Sequence, residues 1–156
     1  MEVSPYSAPG LEMPIDIFIE QQVLNIFGLT LDQIMIKCRE KRLVVPRQAY
    51  VAAMCRYNKN TQWGMSVLLY DRFQLSYDHS TINHAEVTIE EVYLPGKVSN
   101  ATDKVYAKKV QEFFAIIQSE YDHQQTLKNE KRSRVSNLPR YSEIPETPVP
   151  KGFVSF

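Results

Sequence analysis

The sequence predicts an all-α protein, a helix-turn-helix bundle of five to six helices followed by an extended, proline-containing C-terminal tail. Three observations support this fold class. Apolar residues recur at the i, i+3, i+4 spacing of amphipathic helices. No stretch has the strict polar and apolar alternation of a half-buried strand. Short segments containing Gly, Pro and Asn separate the helical patterns, as expected for turns.

The organisation predicted along the 156 residues has four parts. An N-terminal arm covers residues 1–14, and a helix-turn-helix domain covers residues 15–94. A long amphipathic helix occupies residues 95–132. Residues 133–156 contain four prolines and form the extended tail.

Composition excludes several classes of protein. No apolar run approaches the roughly 18 residues that suggest a membrane span, and the first residues lack the features of a signal peptide. Cys38 and Cys55 lack the spacing of a zinc site or disulfide framework. We expect a cytoplasmic protein of a bacterial cell, or alternatively a virion component, without a membrane partner.

The first two helices are predicted from their ends. The first helix is predicted over residues 15–27, where apolar residues form a broad stripe on one side, and Gly28 ends it. Thr30 and Gln33 have the spacing of a capping box, which predicts a short helix over residues 31–37.

A basic loop is predicted over residues 38–45, before the third helix. Pro46 fits the first position of that helix, where a missing N–H costs nothing. The third helix frays near residues 58–60, and a fourth helix covers residues 65–73.

Asp78 is predicted to be the N-cap of a fifth helix, which residues 94–96 end. One side of this helix packs on the core through Ile82, Ala85, Ile89 and Val92. The opposite side displays Ser80, Asn83, His84, Val87 and Glu91. A long helix begins near Asn100, and its aromatic side is interpreted as core or as a subunit interface.

Charge is segregated along this chain of zero net charge. Residues 37–72 hold eight bases and two acids, a difference of +6, while residues 1–36 hold five acids and no base. Such a block attracts polyanions over about a Debye length, roughly 8 to 10 Å. A solvated charged surface is the alternative interpretation.

Two motifs carry a resemblance to a known family. Residues 78–85, DHSTINHA, resemble the DHSTV-x-HA signature of the C-terminal duplex-DNA-binding domain of the bacterial replication initiator DnaA. Residues 39–42 and 46–49 are similar to the basic loop and (A/P)-R-Q segment of that domain. The resemblance covers about half of the chain, residues 15–92, and no phosphate loop of an ATPase domain is present.

The resemblance implies a site for double-stranded DNA, with no cofactor. It assigns Arg39 to the minor groove and the turn at residues 78–80 to base reading. Thr81 and His84 would hold phosphates, as would residues 47–48 at the start of the third helix. The predicted DNA-binding residues are Arg39, Lys41, Arg42, Arg47, Gln48, Asp78, His79, Ser80, Thr81, Asn83 and His84.

Other chemistry at the same residues is not expected. His79 and His84 are five residues apart, so they point away from each other on a helix and do not form a metal site. Ser80 has neither a G-x-S-x-G motif nor an adjacent base, which argues against an enzyme.

Two departures from the family pattern predict weaker or altered DNA binding. Residues 58–64 form an insertion, and Glu86, Glu90 and Glu91 stand where the family is basic. The leading hypothesis is a sequence-preferring regulatory or replication-accessory protein of a bacterium, phage or plasmid. The alternative is a phage structural or assembly adaptor, which contacts a protein partner or a second copy through residues 100–156.

Overall fold

The computed structural model describes residues 13–136, with side chains described for residues 13–132, and shows six helices and no strand in that range. The all-α prediction is therefore confirmed. The helices are α1 (Ile15–Gln22, continuing as a π-helical turn, Val23–Phe27), α2 (Leu31–Ile34), α3 (Lys41–Tyr57), α4 (Gln62–Phe73), α5 (His79–Thr88, continuing as a π-helical turn, Ile89–Tyr93) and α6 (Ala101–Ser136).

The predicted arm and tail fall mostly outside the described residues, which leave out residues 1–12 and 137–156. The boundary predicted at residue 132 is wrong, because α6 continues to Ser136. Among the described residues, none of the helices combines the length and apolar character needed to cross a membrane.

The caps of the first two helices form as predicted. Gly28 ends the first helical segment with a φ of 72°, a left-handed conformation that glycine adopts without strain. Thr30 Oγ1 accepts from the Gln33 backbone N–H, and Gln33 Oε1 accepts from the Thr30 backbone N–H. The second helix ends at Ile34, three residues before its predicted end.

The third helix begins at Lys41, so the predicted start at Pro46 and the predicted loop over residues 38–45 are wrong. The backbone carbonyl of Glu40 accepts from both Leu43 and Val44, which closes the first turn before the proline. Pro46 lies in the second turn, where its missing N–H leaves the Arg42 carbonyl without its usual helical donor. The exposed basic loop is thereby reduced to residues 38–40.

The fourth helix also begins earlier than predicted. Thr61 Oγ1 accepts from the backbone N–H of Gly64, so Thr61 is the N-cap of α4. The helix therefore begins at Gln62 and not at Met65, the predicted first residue. Part of the predicted insertion is therefore the first turn of α4. Gln74 ends the helix in a left-handed conformation with a φ of 58°, and a turn leads directly to α5.

The core is built around α3, which packs against α1, α2, α4 and α5. The aromatic side of α6 also lies in this core, because Phe113 contacts Phe27 and Phe114 contacts Tyr57, at ring-centroid distances of 5.5 and 6.2 Å. One compact unit ends at Tyr121, and Asp122 begins a second unit, whose described part is the end of α6.

Candidate nucleic-acid interface

The start of α5 gathers six of the predicted DNA-binding residues on one exposed surface. α5 packs on the core through Ile82, Ala85 and Ile89, all fully or nearly fully buried, so the opposite side faces solvent as predicted. The exposed members are Asp78, His79, Ser80, Thr81, Asn83 and His84.

The carboxylate of Asp78 organises the first turn of this helix. Its Oδ1 accepts from the backbone N–H of Thr81 at 2.8 Å, from the Thr81 hydroxyl at 2.8 Å and from the Ser80 hydroxyl at 3.1 Å. The bonds from Thr81, then the bond from Ser80, lower the pKa of Asp78 from its ordinary value. Asp78 is therefore the N-cap that the sequence predicts, and it is charged at neutral pH.

The same hydrogen bonds decide what the turn offers to a ligand. Because the hydroxyls of Ser80 and Thr81 donate to Asp78, their lone pairs are what remains directed outward. Thr81 already donates its backbone N–H to Asp78, so the backbone donors left at the start of α5 are the N–H groups of His79 and Ser80, which suit an acceptor such as a phosphate oxygen.

The amide of Asn83 is oriented by a neighbour on α4. Gln62 Nε2 donates to Asn83 Oδ1 at 3.1 Å and lies 3.4 Å from Glu86 Oε1. This contact leaves the Asn83 NH₂ group as the donor for a ligand. No motif in the sequence singles out Gln62, because its contact depends on how α4 crosses α5.

Arg47 does not lie where a phosphate could reach it freely. Its side chain is buried, with 6% exposed, and its guanidinium donates to the backbone carbonyls of Ile34 and Ile36 at 2.7 Å and of Cys38 at 3.3 Å. It also donates to the Tyr77 hydroxyl at 2.8 Å. The prediction that Arg47 holds a phosphate is therefore wrong, because its donors are engaged within the protein.

Gln48 is displaced from its predicted position by the earlier start of α3. The side chain is half-buried and lies two turns into the helix, away from the N-terminal N–H groups that would help it hold a phosphate. The helix N-terminus therefore does not contribute to a phosphate site at residues 47–48, and a phosphate contact by the Gln48 side chain itself stays a prediction.

A groove joins the basic loop to the turn before α5. It has a volume of about 770 Å³ and is lined by Met35, residues 37–39, Arg47 and residues 73–77. Lys37 and Arg39 contribute exposed cations, and no carboxylate lines the groove. The cations of the basic loop therefore share a groove with residues 73–77, and Asp78 and α5 follow Tyr77 directly in the chain.

The predicted cations of the basic segment differ in their partners. Lys41 Nζ lies 2.7 Å from Asp103 Oδ1, and this bond raises the pKa of Lys41 and lowers that of Asp103. Arg42 pairs with Glu40 at 2.8 Å. Arg39 forms no ion pair within the described part of the chain, which makes it the most available of the three.

The acids on α5 are partly directed into the protein. Glu90 pairs with Arg56 on α3 at 3.0 Å, and Glu86 contacts Gln62. Glu91 is exposed, about 16 Å along the helix from Ser80 at 1.5 Å per residue. Of these three acids, Glu90 is paired and Glu91 is distant from the first turn, whereas Glu86, whose partner Gln62 is uncharged, keeps its negative charge about 9 Å from Ser80 along the helix.

Within the described residues, no three His, Cys, Asp or Glu side chains come together in an arrangement that could hold a metal ion. No protein-family model, curated protein or solved structure matches the chain.

Proposed function

We propose that this protein binds duplex DNA with a preference for particular base sequences, and that α5 enters the major groove. The observation that carries this proposal is the groove in which Lys37 and Arg39 lie opposite residues 73–77, the segment that leads directly into the exposed start of α5. A polar helix beside a cationic loop suits two adjacent grooves of a duplex.

The chemistry of α5 suits base edges and phosphates. The major groove is about 12 Å wide and admits one helix. Asp78 accepts all three of its hydrogen bonds on Oδ1, so Oδ2 is the oxygen available to a cytosine amino group. The Asn83 NH₂ group is a donor for a purine N7, and the first N–H groups of α5 suit a phosphate.

The basic loop supplies the second contact with DNA, through Arg39. Arg39 is exposed and has no ion pair within the described residues, so binding a polyanion does not require it to give up a partner. Lys41 and Arg42 would first have to leave Asp103 and Glu40. We therefore assign the minor-groove contact to Arg39 and only a secondary role to the other two.

Residues 78–85 and the cap geometry of Asp78 support a relationship to the DNA-binding domain of DnaA without its ATPase domain. A domain that reads duplex DNA in this way fits a regulatory or replication-accessory factor of a bacterium, phage or plasmid. The pairing of Glu90 with Arg56 reduces the repulsion of phosphates that its sequence position suggests.

The adaptor hypothesis loses one of its supports. The aromatic side of α6, proposed as a contact surface, is used in the protein's own core through Val110, Phe113, Phe114 and Ile117. What remains of that hypothesis concerns residues 133–156, whose side chains lie outside the described ones.

Fluorescence anisotropy of a labelled duplex, titrated with the protein at several salt concentrations, tests the proposal. The logarithm of affinity should fall linearly with the logarithm of salt concentration, with a slope of about −0.9 for each phosphate contact. Arg39→Ala should weaken binding by about tenfold or more. Lys128→Ala, the same loss of charge on an exposed part of α6, is the control and should change little. Absence of binding at low salt would refute the proposal.

A further inference from the structure

An apolar stripe lies on the outer side of α4, and neither the core nor the proposed DNA site uses it. Trp63, Val67 and Tyr70 are four and three residues apart, so they share one side of the helix. They are 74%, 42% and 56% exposed, whereas Met65 and Leu69 on the other side are fully buried. Contiguous large apolar side chains on a surface are typical of a protein contact site.

The two ends of this stripe carry opposite charges. Lys59 precedes its N-terminal end, and Asp71 follows Tyr70 at its C-terminal end. Both side chains are exposed, and neither forms an ion pair within the described residues. Such a surface complements a second copy of itself that runs in the opposite direction.

We propose that the stripe is the interface of a homodimer in which α4 packs antiparallel to α4 of a second copy. A two-fold axis near Val67 places Trp63 of each copy against Tyr70 of the other, because both lie about 5 Å along the helix from the axis. The same rotation brings Lys59 of each copy towards Asp71 of the other. A parallel arrangement would instead place Lys59 of one copy near Lys59 of the other, and Asp71 near Asp71.

The size of the stripe sets the strength of this dimer. The 12 residues of α4 extend about 18 Å, and three side chains cover much less than the roughly 800 Å² per partner of a standard interface. The dimer is therefore weak, with a dissociation constant on the order of micromolar or higher. This inference does not depend on the proposed DNA binding.

Trp63 is the chain's single tryptophan, so its fluorescence reports on the stripe directly. In the absence of DNA, raising the protein concentration should shift its emission to shorter wavelength as the ring leaves water. Sedimentation equilibrium should show the mass rising from 18.1 kDa towards twice that value. Tyr70→Ala should abolish both changes, and Val87→Ala, an exposed apolar residue on α5, should leave them intact.

Charge reversal tests the antiparallel arrangement. Lys59→Asp and Asp71→Lys should each weaken self-association by about tenfold, since each places two like-charged pairs across the interface. Mixing the two variants should restore association as a heterodimer, because both pairs then become attractive.

Three results would overturn the proposal. One is a mass of 18.1 kDa with unchanged emission at every concentration. Another is emission at short wavelength that does not depend on concentration, which would mean that the chain itself covers the stripe. The third is a dimer that Tyr70→Ala does not affect. Because no DNA is present, none of these outcomes bears on the proposed function.

Discussion

Arg47 holds together the two segments that form the candidate interface. Its guanidinium donates to the carbonyl of the last residue of α2, to two carbonyls of the chain that follows, and to the hydroxyl of Tyr77, immediately before the cap of α5. Because planar guanidinium donors satisfy several acceptors at fixed angles, this contact sets the position of the loop relative to the turn. Arg47 is therefore a structural residue that shapes the candidate interface.

Replacing Arg47 with Met should lower the free energy of unfolding by about 3 kcal/mol or more, because buried carbonyls lose their donors. Denaturant unfolding followed by circular dichroism measures this loss. Arg42→Met is the matched control, since Arg42 is exposed and an exposed ion pair contributes about 0 to 1 kcal/mol. Equal destabilisation by the two variants would contradict the structural role of Arg47.

Asp78 should make stability depend on pH. The bonds from Thr81 and Ser80 lower the pKa of Asp78 below its ordinary value of 3.8. A carboxyl with a lowered pKa in the folded state stabilises the protein above its unfolded pKa, and this contribution is lost as pH falls through the folded pKa. Asp78→Ala should therefore lower the melting temperature at pH 7 by a few degrees, and by less near pH 3.

Asp78→Asn removes the negative charge of the N-cap residue and keeps a side-chain oxygen that can accept the cap hydrogen bond. Asparagine is also a good N-cap, so this variant should keep most of the stability at pH 7. Its melting temperature should change less than that of the wild type as pH falls. Melting temperatures of the wild type and both variants between pH 3 and pH 7 are the measurement. A constant difference between the wild type and Asp78→Ala across that range would contradict the assigned role of the carboxylate.

The sequence predicts some helices better than others. A helix whose cap and buried side depend on residues close together in the sequence is predicted well. α5 was predictable because its cap and its buried side are local: Asp78 bonds three residues ahead, and Ile82, Ala85 and Ile89 recur at helical spacing. The start of α3 was not. Glu40 makes no side-chain cap hydrogen bond, and a proline that usually marks a first turn lies in the second.

The charge on the exposed side of α5 should tune DNA affinity. In the proposed orientation, the exposed Glu91 lies where α5 leaves the major groove, so its charge would repel the phosphates that flank the site. Glu91→Lys should raise affinity several-fold and steepen the salt dependence by about one phosphate contact. Glu112→Lys, an equal change on α6, is the control for net charge in the same anisotropy titration. The same gain from both variants would contradict the proposed orientation of α5.

Across the whole molecule, the contacts that complete the candidate surface join residues far apart in sequence. Arg47 meets Tyr77 across 30 residues, and Lys41 meets Asp103 across 62. No local pattern predicts such pairs, so the sequence alone does not show that Arg47 and Lys41 already have partners within the protein. The exposure of the start of α5 and the charge of Arg39 depend on local pattern, and Arg39 lines a groove whose other side, residues 73–77, leads directly into α5.

The central claim is that this single surface contacts one duplex through α5 and Arg39 together. Selection of bound duplexes from a random pool, carried out in parallel with the wild type and Arg39→Ala, tests it most directly. We expect the wild type to enrich one short motif, and the variant to keep the part that α5 reads while losing preference in the flanking minor groove. Enrichment of no motif by the wild type, or an unchanged full motif with the variant, would contradict the claim.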